Sequence, residues 1–117
     1  MLLIRKEQMA AFSQYMQDNF VKRMITHLRQ IFPNETDKLT DKNLCGIIEY
    51  GISNAQKYEI SRECDVERYL DLMFLLAFDF DTHSKTRWAN QILRKDWDAS
   101  TKLDVLYARY ETSTTPR

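Results

Sequence analysis

The chain has 117 residues, enough for one hydrophobic core and one domain. Its 17 basic and 17 acidic residues cancel, so the chain as a whole carries no strong field for nucleic acid or an anionic membrane. Two glycines and two prolines are too few for the turns of a β-rich protein, and helix-favouring side chains dominate; both point to an all-α fold.

The first four residues and the last six, 112–117, are expected to be flexible. The short apolar run Met1-Leu-Leu-Ile4 is too brief for a signal peptide. Cys45 and Cys64 lie in no C-x-x-C pattern, and two cysteines alone cannot build a zinc site. Reduced thiols and a cytoplasmic location are the expectation.

A first helix is predicted from Arg5 to Ile31. Met9, Phe12, Met16, Phe20, Met24, Leu28 and Ile31 recur at three- and four-residue steps and form one apolar stripe. Pro33 ends it, because the residue before a proline avoids the helical region. Asn34 to Lys38 reads as a polar loop. Lys22, Arg23 and Arg29 form a small basic set on the outer face of this helix. It is too sparse for nucleic acid and reads as a solvated face. His27 lies near the helix end, where a cation suits the dipole.

A second helix starts at Thr40 or Asp41 and carries Leu44, Ile47, Ile48, Ile52 and Ala55 inward. Gly46 and Gly51 lie inside it at a cost of about 1 kcal/mol each. Close approach of a neighbouring helix is the leading reason expected for keeping them, and a seat for a ligand or partner backbone is the alternative.

Ser61 is the expected N-cap of a third helix, with Glu63 and Asp65 in its first turn. Within it Tyr69-Leu-Asp-Leu-Met-Phe-Leu-Leu-Ala-Phe78 is apolar on every side except at Asp71. A helix apolar all round is buried all round. The run is half the length needed to cross a bilayer. It predicts a buried central helix over about 61–79 in a single-domain bundle of about five helices. Lys85 to Lys95 reads as a short helix with Trp88, Ile92 and Leu93 inward. Asp98 or Ser100 caps a last helix carrying Leu103, Leu106, Tyr107 and Tyr110.

No nucleophile–base pair, paired carboxylates, metal spacing or phosphate loop is legible, so no catalytic residue, cofactor or metal is expected. Asp79, Asp81 and His83 alternate and are the one place where a small metal-dependent enzyme could be built. The further oxygen ligands, the glycine and the terminal glutamate of a calcium loop are missing. Tyr50, Tyr58, Trp88, Trp97, Tyr107 and Tyr110 are more aromatics than a small core hides, and Tyr and Trp mark protein–protein hot spots. Residues 41–81 hold nine acids against four bases. Together these suggest a partner surface with an acidic rim at Tyr58, Glu59, Glu63, Asp79 and Asp81.

The pattern Phe20-x-x-Arg23-Met24-x-x-His27-Leu28-Arg29-x-x-Phe32-Pro33, then Gly51-Ile52-x-x-Ala55-x-x-Tyr58-x-Ile60-x-x-Glu63-x-Asp65-Val66-x-x-Tyr69-x-x-Leu72-Met73-Phe74, then Asp79-Phe80-Asp81 and Trp88-Ala89-x-x-Ile92-Leu93 resembles a group of small, uncharacterised helical bacterial proteins associated with type VI secretion and polymorphic toxin loci. Ala77 departs from the glycine expected before Asp-Phe-Asp. The resemblance implies no chemistry. It implies an accessory role beside a secreted effector. Chaperone or adaptor leads and immunity protein follows, each acting by binding another protein and neither through nucleic acid or membrane. A monomer is the default.

Overall fold

The computed structural model describes the backbone of residues 6–114 and the side chains of residues 18–112. The flexibility expected at 1–4 and 115–117, and the inward placement of Met9, Phe12 and Met16, lie outside those limits. The regular structure described is all helical: α1 Lys6–Ile31, α2 Pro33–Thr36, α3 Asp41–Lys57, α4 Glu63–Leu75, α5 Arg87–Leu93 and α6 Ala99–Thr114, with a 3-10 turn at Ser84–Thr86 before α5. No helix among the described residues is long and apolar enough to cross a membrane. The chain forms two compact units, Met1–Ile48 and Glu49–Arg117, whose boundary falls inside α3.

In the first unit the apolar stripe of α1 is buried at Phe20, Val21, Met24 and Leu28, while Ile31 is exposed. Pro33 stops α1 and at once starts α2, where its missing N–H costs nothing in the first turn. The expected polar loop is thus largely a helical turn. Thr36 is buried and donates its hydroxyl to the Phe32 carbonyl at 2.8 Å. Arg29 holds the connection in place. Its guanidinium donates to the carbonyls of Thr36 (2.9 Å) and Leu39 (2.8 Å) and to the Asp41 carboxylate (2.8 Å). Arg29 therefore leaves the basic set read on α1; it is a staple for the backbone. Thr40 caps α3, its hydroxyl accepting from the Asn43 N–H at 3.1 Å.

In the second unit α4 packs against α6, and α5 against α6. Gly51 of α3 faces α4. A Cβ there would collide with Leu70 Cδ2 and sit 2.8 Å from Met73 Sδ, so the glycine admits the neighbouring helix. Gly46 has no such neighbour. The N-cap of α4 is Arg62, which makes no capping hydrogen bond with its side chain, a correction to Ser61. The acids Glu63 and Asp65 in the first turn complement the helix dipole instead.

α4 stops at Leu75, short of the expected 79. Tyr69, Leu70, Leu72 and Met73 are fully buried, whereas Phe74 to Ala77 are half-buried and Phe78 is 39% exposed. An unbroken apolar run continued past the helix it began. The turn that follows uses no left-handed backbone at Ala77, so alanine is accommodated there. Asp98 caps α6: its carboxylate accepts from the Thr101 hydroxyl at 2.6 Å and its carbonyl from the Lys102 N–H. That hydroxyl bond holds the Asp98 carboxyl below the usual carboxylate range. Beyond Thr112, where fraying was expected, α6 continues to Thr114.

Candidate functional site

The site is built in the second unit around the end of α3. The Ile60 N–H reaches back to the Ala55 carbonyl (2.9 Å) and the Glu59 N–H to the Gln56 carbonyl (3.0 Å). This pair of bonds is a Schellman ending. It requires a left-handed residue, and Glu59 supplies it at φ 64° where glycine is usual. Ile60, the next residue, is fully buried and anchors the reversal. The ending leaves the Tyr58 carbonyl without an intrahelical partner. Lys102 of α6 satisfies it, Nζ donating at 2.8 Å. Lys102 is 3% exposed and makes no ion pair among the described residues.

The Tyr58 side chain turns the other way. Its hydroxyl donates to Asp81 Oδ2 at 2.9 Å, and Asn54 Nδ2 approaches Oδ1 at 3.4 Å. The Asp81 carbonyl accepts from Asn90 Nδ2 of α5 at 2.8 Å. Burial, then the bond and the charge of Asp81, push the Tyr58 hydroxyl up to about 12. Tyr69 lies close to the same charge; burial first and Asp81 second raise its pKa further. Its hydroxyl is buried with no hydrogen-bond partner among the described residues. Its ring packs on Phe80, centroids 5.0 Å apart.

Asp81 is therefore not the exposed acidic anchor expected from the sequence. It is 1% exposed and is the hub of an internal polar cluster. Phe80 beside it is fully buried, its carbonyl bonded by the Thr86 hydroxyl at 2.7 Å. Asp79 is exposed, its carbonyl receiving the N–H groups of Thr82 and His83. His83 Nδ1 accepts from the Lys85 N–H at 3.0 Å and caps the 3-10 turn. Asp79, Asp81 and His83 thus serve three separate ends and do not converge on a metal position. Cys45 is half-buried and Cys64 exposed.

Two open grooves flank α5 and share Asn90, Arg94 and Lys95. One, of about 450 Å³, is lined by Lys57, Tyr58, Glu59, Leu93, Asp96 and Lys102 besides the shared three. The other, of about 600 Å³, adds Trp88, Gln91, Ile92, Trp97, Val105 and Arg109. The Arg109 guanidinium lies 5.2 Å over the Trp88 ring, and Lys95 Nζ lies 5.6 Å over Trp97. Trp97 is 40% exposed. Arg94 and Lys57 pair with no carboxylate among the described residues. The concave face of this unit is aromatic and basic.

Of the expected surface residues, Tyr58 and Glu59 border this face, whereas Glu63 and Asp79 are exposed outside both grooves. The sequence reading missed Arg94, Lys95, Lys102 and Arg109. A signal existed in Arg94-Lys95-Asp96-Trp97, a charged break between two apolar-striped segments that ends on a tryptophan. No protein-family model, curated protein or solved structure matches the chain.

Proposed function

We propose that this chain is a non-enzymatic, protein-binding accessory protein, a chaperone or adaptor for a secreted bacterial effector. The observation that carries the binding role is the open groove holding both tryptophans of the chain, each with a cation over its ring. Tryptophan and arginine concentrate binding energy at protein interfaces, and a half-exposed tryptophan loses unfavourable hydration when a partner covers it. The nature of the partner rests on the resemblance alone.

The test is capture from the native host with the wild-type chain and with Trp97→Ala, followed by mass spectrometry. Trp97 is 40% exposed and lies outside the buried core. The Trp97→Ala chain is therefore expected to keep its helical circular dichroism, which is checked before capture. A defined protein retained by the wild type and lost from the variant supports the reading. Recovery of nucleic acid alone overturns it. Protection of cells against a toxin encoded beside this gene would replace the loading role with immunity.

A further inference from the structure

We infer that the two grooves form one trough whose occupant is an acidic, extended peptide segment of the partner protein. The inference rests on the docking reading above and names the chemistry that the surface recognises. The two grooves adjoin at Asn90, Arg94 and Lys95, which line both. Five cations line the trough: Lys57, Arg94, Lys95, Lys102 and Arg109. Among the described residues only Glu59 and Asp96 oppose them in the lining, both in the smaller groove, and no acid lines the tryptophan-bearing groove.

Part of this charge has an internal purpose. The trough lies at the C-terminal ends of α3 and α5, each equivalent to about half a negative charge. Lys102 answers the first through the Tyr58 carbonyl. That leaves Arg94, Lys95 and Arg109 around two indole rings, none of them paired to a carboxylate among the described residues. Like charges on one concave wall repel each other and focus a field that a carboxylate relieves. A guanidinium also presents paired donors that fit a carboxylate. The rings supply apolar area between the charges, so the segment that fits alternates acids with apolar residues. Nucleic acid fits less well. The chain as a whole is neutral, and a phosphate backbone offers no apolar side chains to cover the two indole rings.

Because the chain has only two tryptophans and both line the trough, its tryptophan emission, excited on the red edge where the six tyrosines do not absorb, reports on this site alone. The probe is the synthetic peptide Glu-Asp-Leu-Glu-Asp-Leu-Glu-Asp, with its Gln/Asn counterpart and a twelve-nucleotide single-stranded DNA as comparisons. The acidic peptide is expected to give a saturable change that weakens as salt rises from about 50 to about 300 mM. The double variant Arg94→Glu/Arg109→Glu, both residues being exposed, is expected to lose at least about tenfold in affinity. Lys22→Glu on α1 is expected to change nothing. Equal binding of the neutral peptide would overturn the acidic specificity and leave the docking reading standing. Tighter binding of the DNA would overturn both. So would concentration-dependent self-association dissolved by the double variant, which would assign the trough to a second copy.

Discussion

At the scale of single residues, two side chains work against their own preferences. Glu59 sits in left-handed backbone, where a Cβ meets the following carbonyl and costs on the order of 1 kcal/mol. Glu59→Gly should therefore stabilise the protein by about 0.5–1 kcal/mol, read as a higher urea midpoint with an unchanged slope. It should also tighten binding of an acidic peptide, because one of the two trough acids is removed. Loss of stability would show that the Glu59 side chain has a contact worth more than the strain. Asp81 is the second case, a buried carboxylate held by neutral donors and paired with no cation among the described residues. In the sequence it was indistinguishable from Asp79, two residues away, which is exposed. Strand-like alternation would have turned them the same way. The turn that follows α4 turned them apart.

At the scale of elements, α3 offers an internal comparison. Gly46 and Gly51 lie in the same helix and read alike in the sequence. Gly46 is exposed, and a methyl placed on it would meet no neighbouring atom, so Gly46→Ala should gain about 0.5–1 kcal/mol from helix propensity. Gly51→Ala would drive a methyl into Leu70 and Met73, both fully buried in α4 and unable to move far. Overpacking of this kind costs about 1–3 kcal/mol, so the net effect should be a loss of about 1–2 kcal/mol. Thermal or urea unfolding of the two variants side by side checks both signs. The ends of α1 and α3 were legible to within a residue, whereas the C-terminal end of α4 was not. The end of α4 and its cap depend on how the chain leaves the helix, and apolar composition carries no mark of that.

At the scale of the whole molecule, three buried or half-buried tyrosines make the fold sensitive to alkali. Burial is the leading cause at Tyr58, Tyr69 and Tyr107 alike, and each pKa is raised above the ordinary tyrosine value. Tyr107 is fixed besides by donating to the Arg68 carbonyl at 2.9 Å. A group whose folded pKa is raised releases its proton more readily once unfolded. Stability is then fully present below about pH 10, the unfolded value, and falls as pH rises towards 12, where Tyr58 titrates in the folded state. Absorbance of tyrosinate near pH 11 should accordingly lag behind that of the urea-unfolded chain and catch up when the fold is lost. Tyr58→Phe should remove part of the dependence. Equal titration curves for the folded and unfolded chain would rule the account out.

The sequence by itself determined the helical class, five of the six helices in order and most of their buried faces, while α2 read as a loop. Those follow from spacing along the chain, and periodicity is a local property. It also marked the aromatic surplus from which the groove takes Trp88 and Trp97. It did not show that Lys57, Arg94, Lys102 and Arg109, spread over three segments, share one trough. It placed its acidic rim where the local charge surplus lay, in residues 41–81. Only the tertiary structure decided the concave face, because packing α5 against α6 and reversing the chain at Glu59 brings distant cations together and turns Asp81 inward. Charge counted along a sequence cannot say which side chains meet in space.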